Sequence, residues 1–116
     1  MEKENLRLDT ILKAISEKKG MAIKIVDVSA ESSVCDYFVI ASATNNQAVK
    51  ALYDNVSEKL KKIGVMPLRS DGYAGGRWIA ADYGDIVVHL FHRDTRLQYQ
   101  FDVLWDNGEN VSTYED

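Results

Sequence analysis

The spacing of apolar residues along the chain predicts helices in two places. In the first, apolar side chains recur at helical intervals, as Leu8, Ile11, Leu12 and Ile15. Lys18 and Lys19 suit the negative carboxyl end of such a helix, and we expect Gly20 to close it in a left-handed conformation. A longer stripe of the same period ends at Gly64 and comprises Val49, Leu52, Tyr53, Val56, Leu60 and Ile63. Thr44 precedes it at the position of a capping-box residue.

Runs of β-branched and aromatic residues predict strands between and after these helices. Residues 21–28 form one such run, and residues 36–42 form another that is almost entirely apolar. Because a strand of that composition is buried on both faces, we expect residues 36–42 to lie in the centre of a sheet.

Shorter elements are predicted in the second half of the chain. A proline opens a short edge strand at residues 67–69, and the glycine-rich residues 72–76 predict a flexible loop. The elements that follow are a strand at 77–82, a Tyr83-Gly84 turn, a strand at 85–91, a short helix at 95–99 and an acidic tail. This order predicts an α/β domain with a mixed five-stranded sheet and flanking helices. With 116 residues, the chain has material for one core.

The hairpin around Tyr83 and Gly84 is predicted to have two unlike faces. A two-residue turn pairs Asp82 with Asp85 and Trp78 with His89. The apolar face, which we expect to point inward, collects Ile79, Ala81, Ile86, Val88 and Leu90. The other face is a poor core and a plausible binding surface, with Trp78, Ala80, Asp82, Asp85, Val87 and His89. The alternative is that Trp78 packs under a helix and the aspartates only decorate a turn.

The charge of the chain bears on its partners and its compartment. A net charge of -4 with a pI near 5.1 argues against nucleic-acid binding and favours a basic protein surface, although ordinary solubility charge is the alternative. The single cysteine, Cys35, allows no internal disulfide and indicates a reducing compartment. No apolar run is long enough for a membrane span, and residues 1–5 lack a secretory signal. We therefore expect a cytoplasmic protein.

A search for catalytic groups identifies no candidate. Asp82 and Asp85 are separated by a turn, and no D-x-D pattern occurs, so we expect no metal site. His89 and His92 are three apart in a strand and point to opposite faces. The glycine loop lacks a phosphate-binding pattern, and Cys35 has no evident activating group. The sequence thus predicts a binding protein without catalytic residues, metal or cofactor.

Three segments together resemble one protein family. Residues 35–45 resemble the central strand and helix start of the ribosomal silencing factor family, also called RsfS or Iojap-like. Residues 72–79 and 82–91 are similar to its second and third signatures, and the likeness continues through Arg96, Tyr99 and the Leu104-Trp105 pair. The resemblance covers nearly the whole chain.

The resemblance implies a fold and a function. The fold would be nucleotidyltransferase-like without the catalytic carboxylates, with a silencing-factor domain at residues 1–105 and an acidic tail at residues 106–116. The function would be to bind large-subunit ribosomal protein fourteen on the large ribosomal subunit and sterically block subunit association, repressing translation under nutrient limitation. The family pattern centres the partner surface on Arg77, Trp78, Asp82, Tyr83 and Asp85. No direct contact with nucleic acid or membrane is expected.

Two other functions stay open at this point. One is a nucleotide-binding or transferase remnant of the fold, and the other is a homodimeric scaffold, because an aromatic sheet face also pairs with itself. A homodimer of the free protein is compatible with both the scaffold and the ribosomal function. Ala80 and Ala81 are smaller than the aliphatic residues expected there, which predicts a shallower contact.

Overall fold

The computed structural model describes residues 3–33 and 35–115, with side chains from residue 6 onward. The sequence predictions that concern Met1, Glu2 and Asp116, at the two ends of the chain, fall outside the described residues.

The described elements form a single six-stranded sheet with helices on both faces. In chain order they are α1 (Lys3–Glu17), β1 (Met21–Asp27), β2 (Tyr37–Ala43), α2 (Asn46–Lys62), β3 (Arg69–Asp71), β4 (Trp78–Asp82), β5 (Ile86–His92), α3 (Arg93–Tyr99), α4 (Phe101–Trp105) and β6 (Val111–Thr113). The strand order is β3-β4-β5-β2-β1-β6. Only the β2–β5 pair among these neighbours is parallel. The predicted mixed sheet with flanking helices is confirmed.

The predicted count of five strands is wrong because the C-terminal segment supplies a sixth. β6 comes from residues 106–116, which were expected to form an acidic tail, and it pairs antiparallel with β1. A three-residue strand is too short to leave a periodic signal in the sequence. Helix α4 was also not predicted. The relation to nucleotidyltransferases remains a prediction.

The sheet separates two clusters of buried side chains. One lies under α1 and α2 and contains all five residues of the predicted inward face: Ile79, Ala81, Ile86, Val88 and Leu90. The other lies under α3 and α4 and includes Phe91 and Phe101. Within β2, Val39 belongs to the first cluster and Ile40 to the second. The predicted central strand, buried on both faces, is therefore confirmed.

Two helix ends differ from the predicted caps. Lys19 adopts the left-handed conformation after α1, with φ of 63°, and Gly20 does not. A Cβ on Gly20 would lie 2.3 Å from Ile15 Cγ2, so this glycine serves close packing. At the start of α2 the cap is Asn45, whose side-chain oxygen accepts from the Ala48 amide at 2.7 Å. The predicted cap, Thr44, lies one residue before the observed cap.

The β4–β5 hairpin has the predicted faces but a different register. Trp78 pairs with Phe91, and Asp82 pairs with Val87. The Tyr83 amide donates to the Ile86 carbonyl, so the two turn residues are Gly84 and Asp85. The predicted pairing of Asp82 with Asp85 is wrong. Because the shift is two residues and side chains alternate with period two, the side chains within the two strands keep their predicted faces. Asp85, now in the turn, does not keep its predicted face, and it contacts Arg7 of α1.

Candidate functional site: the open face of the sheet

Helices α3 and α4 cover only part of the sheet face that points away from α1 and α2. Helix α3 packs on β5 and β2, in the middle of the sheet. Beyond it, Ala80, Asp82 and Val87 remain half-buried. Arg69 and Asp71 of β3 pair with Asp82 and Ala80, and paired residues share a face. We call this surface the open face: Arg69, Asp71, Trp78, Ala80, Asp82 and Val87.

Trp78 lies where the open face meets the covered part of the sheet, and it is half-buried. Its ring stacks on Phe91, with centroids 4.9 Å apart, and meets the Phe101 ring edge-on at 5.5 Å. Its indole nitrogen donates to Nδ1 of His89 at 3.2 Å. The alternative of packing under a helix is therefore partly correct: one side of Trp78 is fixed, and the other faces outward.

His89 holds Trp78 from within the covered part of the sheet. Only 8% of its surface is exposed, and its ring lies 4.6 Å from Phe101 and 4.8 Å from Phe38. Burial lowers the pKa of His89 to about 4. Since Nδ1 accepts the tryptophan proton, the neutral ring carries its own proton on Nε2. That nitrogen is buried and has no hydrogen-bond partner among the described residues.

A cleft of about 430 Å³ adjoins the outward side of Trp78. Its walls come from the glycine-rich loop and one flank of α3, with the lining residues Gly72, Gly75, Arg77, Trp78, Thr95, Gln98 and Tyr99. Arg77 is exposed, and Tyr99 is 54% exposed with its ring 5.5 Å from that of Trp78. An aromatic pair flanked by a cation is a suitable anchor for a protein side chain.

The glycine-rich loop, which we expected to be flexible, makes close contacts at Gly72 and Tyr73. Gly72 has φ of 88°, and a Cβ there would lie 2.0 Å from the Trp78 carbonyl oxygen. Only glycine permits this approach without strain. The neighbouring Tyr73 donates to Asp54 Oδ2 of α2 at 3.1 Å, and its ring lies 5.5 Å from Tyr53. The loop thus ties Trp78 to α2.

The five predicted partner-binding residues do not form one surface. Arg77 and Trp78 border the cleft, and Asp82 lies on the open face at the far end of β4. Asp82 follows Trp78 by four positions along β4, a distance of roughly 13 Å at the rise of a strand. Asp82 accepts from the Gly84 amide at 2.8 Å and lies 3.6 Å from Arg69 Nε.

Tyr83 and Asp85 lie away from the open face. Tyr83 is 4% exposed within the cluster under α1 and α2, and burial raises its pKa to about 12. The Asp85 carboxylate accepts from Arg7 of α1 at 2.7 Å. Asp82 and Asp85 therefore contact different cations on different elements, Arg69 of β3 and Arg7 of α1. The two carboxylates also do not converge on a common point.

Other chemistry-bearing groups have structural surroundings. Cys35 is buried, and desolvation raises the pKa of its thiol, which makes it a poor nucleophile. Among the described residues, no group of three or more His, Cys, Asp or Glu side chains is placed to hold a metal ion. Nor does any helix in the described ranges combine the length and apolarity needed to cross a bilayer.

Sequence reasoning missed several large apolar side chains that are exposed at the surface. Leu68 is 74% exposed beside β3, and Leu97 and Leu104 on the short helices are 75% and 71% exposed. The available signal was the presence of leucines in α3 and α4 outside any helical stripe. Large apolar residues clustered at a surface are typical of contact sites.

Comparison with known proteins identifies the family of the chain. The family model described as "Ribosomal silencing factor during starvation" matches residues 2–116. A ribosomal silencing factor from Chromobacterium violaceum is 35% identical over 94 residues, covering 81% of this chain and 77% of that protein. In mouse, "Mitochondrial assembly of ribosomal large subunit protein 1" is 27% identical, over 84% of this chain and 44% of that protein.

The fold agrees with that assignment. A crystal structure of a Chromobacterium violaceum protein superimposes with a TM-score of 0.86 at 32% identity, covering all of this chain and 95% of the other. At this identity and coverage, sequence and structure point to the same relatives. The chain belongs to the ribosomal silencing factor (RsfS) family.

Proposed function

We propose that this protein represses translation by occupying the large ribosomal subunit in the cytoplasm. It binds large-subunit ribosomal protein fourteen through the open face and the adjoining cleft, and its bulk blocks the small subunit sterically. The repression operates when nutrients are limiting. The protein acts by binding and has no catalytic step.

The observation that carries this proposal is the open face itself, in a chain of the RsfS family. The β3–β4 edge of this sheet face lacks helical cover, and Trp78, which contacts three aromatic rings, borders it. A rigid aromatic anchor loses little conformational entropy on binding. The name of the mouse relative, which refers to the ribosomal large subunit, supports the choice of subunit.

Charge complementarity supports a narrower contact than the sequence suggested. Of the two hairpin aspartates, only Asp82 lies on the open face, where Asp71 adds a second carboxylate and Arg69 contributes one cation, 3.6 Å from Asp82. Asp85 is held by Arg7 on the other side. Arg77 is exposed at the cleft. We therefore assign Trp78, Arg77 and Asp82 to the partner surface, and Tyr83 and Asp85 to the support of the hairpin.

Co-sedimentation with isolated ribosomal subunits tests the proposal. The protein should pellet with large subunits and not with small subunits, and its addition should reduce the formation of joined ribosomes. Pre-incubation of the protein with purified ribosomal protein fourteen should reduce the amount that pellets with large subunits. Pelleting with small subunits alone, or unchanged subunit joining at saturation of the large subunit, contradicts the proposal.

Tyr99→Ala locates the contact better than Trp78→Ala. Trp78 packs on Phe91 and Phe101, so its truncation lowers the stability of the domain as well as the affinity. Tyr99 is more than half exposed, so Tyr99→Ala should weaken binding about 10- to 30-fold, as expected for a hot-spot aromatic, with little change in Tm. Ile63→Ala, on the opposite side of the sheet, is the matched control. Equal binding by both variants would place the contact elsewhere.

A further inference from the structure

A second cleft lies on the other flank of α3, away from Trp78. Its volume is about 590 Å³, and it is lined by Ala22, Lys24, Ser42, Arg93, Arg96, Leu97, Gln100, Asp102 and Val103. Ser42 is near the carboxyl end of β2, and Arg93 follows β5 directly. These are the two parallel strands of the sheet. Ligands of open α/β sheets bind outside the carboxyl ends of parallel strands.

Irregular backbone on both sides shapes this cleft. The β1–β2 register shifts between Met21 and Lys24, and Ala22 within that bulge has φ of 47°. On the other side Gln100, with φ of 50°, forms the corner between α3 and α4. Non-glycine residues rarely adopt such angles, and bulges are frequent beside ligand sites.

The floor of the cleft is a buried cation. Arg96 is 7% exposed and donates to Asp102 through Nε at 2.9 Å and Nη2 at 2.7 Å. Its Nη1 donates to Ser42 Oγ at 3.2 Å. The Arg96 hydrogen bonds hold the pKa of Asp102 below its ordinary value. A carboxylate so bound stays ionised and keeps Arg96 in place.

The charges that line the cleft do not balance. Lys24 Nζ lies 3.1 Å from the same Asp102 carboxylate that Arg96 occupies, so two cations share one anion. Arg93 adds a third cation, whose Nε lies 3.8 Å from the carboxylate of Asp94, a residue that does not line the cleft. Three cations against one carboxylate leave an excess of two positive charges in a protein of net charge -4.

The rim of the cleft is apolar. Leu97 and Val103 are 75% and 70% exposed, and Ala22 is exposed beside them. Together the rim and the cations offer one surface to an apolar group and another to an acid. A volume of this size lies within the range of roughly 300 to 1,000 Å³ that small-molecule sites occupy.

We propose that this cleft binds a small organic anion with an apolar body and a carboxylate or phosphate group. The acidic group contacts Lys24 and Arg93, and the body packs on Leu97 and Val103. This site goes beyond the proposed ribosomal function, since it lies on the opposite flank of α3 from the Trp78 cleft. Its test needs no ribosome.

The fluorescent dye 8-anilinonaphthalene-1-sulfonate has both features and serves as the probe. It should bind the full chain with one-to-one stoichiometry. Arg93→Gln should weaken it about tenfold through the lost charge-assisted contact, and Leu97→Ser should weaken it to a similar degree. Lys61→Gln, at an exposed site on α2, and Leu68→Ser, at an equally exposed leucine, are the matched controls. All four side chains are exposed, so the variants should fold.

Displacement of the dye defines the ligand class. Hexyl phosphate or hexanoate should displace it, whereas hexanol and inorganic phosphate at the same concentration should not. The relative potency of hexyl phosphate and hexanoate in displacing the dye shows whether the cleft prefers a phosphate or a carboxylate group. Equal weakening by Leu68→Ser and Leu97→Ser, displacement by hexanol as strong as by the acids, or no saturable binding would overturn the proposal.

Discussion

At the scale of single residues, the hydrogen bond from the Trp78 indole to His89 orients the aromatic side chain of the candidate interface. A buried histidine that accepts from the tryptophan must stay neutral, and the low pKa of His89 meets that requirement at physiological pH. The orientation of the Trp78 ring therefore depends on a side chain that is itself buried. Aromatic neighbours on three sides complete the support.

This arrangement predicts an acid-dependent loss of stability. The pKa of His89 is about 4 in the folded protein against an ordinary value of 6.5. The unfolded chain therefore binds the proton more tightly, and stability is lost as the pH falls from 6.5 towards 4. The loss should reach about 2 to 3 kcal/mol at pH 4.5. Urea unfolding at pH 7 and 4.5 measures it.

His89→Gln is the comparison for that measurement. Glutamine does not titrate and can still accept from the indole, although it packs less well. The variant should be less stable at pH 7 and should lose less stability on acidification than the parent. Parallel pH dependence in the two proteins would show that carboxylates alone cause the acid sensitivity.

At the scale of elements, the loop before β4 determines where Trp78 sits. Gly72 lies against the Trp78 carbonyl, and Tyr73 fastens the loop to α2. The spacing of glycines in the sequence suggested freedom of movement, but here glycine allows two backbones to approach. The short helix α3 then completes the wall of the cleft.

Alanine substitutions in this loop should separate close packing from loop flexibility. Gly72→Ala puts a Cβ against the Trp78 backbone at a positive φ, so it should lower Tm by several degrees or more. Gly75→Ala, where a Cβ meets nothing within 4 Å, should leave Tm nearly unchanged. Thermal unfolding of both variants measures this, and similar Tm values would contradict the packing role.

At the scale of the whole molecule, the two sides of the sheet are covered unequally. Helices α1 and α2 form a long layer over the larger buried cluster, while α3 and α4 have seven and five residues and leave the β3–β4 edge uncovered. The open face is therefore a consequence of helix length and strand order. The net negative charge adds a field that favours approach to a basic partner.

Substitutions of the two hairpin aspartates, Asp82 and Asp85, should consequently have different effects on binding and stability. Asp82→Asn on the open face should slow association with large subunits and flatten the dependence of the association rate on salt. Asp85→Asn breaks the pair with Arg7 and should lower stability by up to about 1 kcal/mol, with an unchanged salt dependence. Stopped-flow association at several salt concentrations, with thermal unfolding, distinguishes them. The same kinetic effect in both variants would contradict the assignment.

The sequence by itself determined the four longer strands, the long helices and the inward face of the hairpin. The short edge strand predicted at residues 67–69 lies at Arg69–Asp71, and β6 was not predicted. The correctly predicted features rest on local periodicity: the spacing of Val49, Leu52 and Val56 favours a helix, and the alternation through Ile79 and Ala81 places both side chains on one face of the strand. The observed register differs from the predicted one by two residues, which preserves that face. The buried side chains of the hairpin were therefore predicted correctly although the turn was not.

Only the tertiary structure decided which candidate residues share a surface. Asp82 and Asp85 are neighbours in sequence, yet one faces Arg69 and the other faces Arg7, because the turn is centred one residue later. Tyr83, predicted to contact a partner, is in the core. The cleft around Arg96 joins β1, β2, α3 and α4, which are separated by up to 80 residues. Local patterns carry no information about contacts between segments so far apart, since these depend on strand order and on which helix covers which strand.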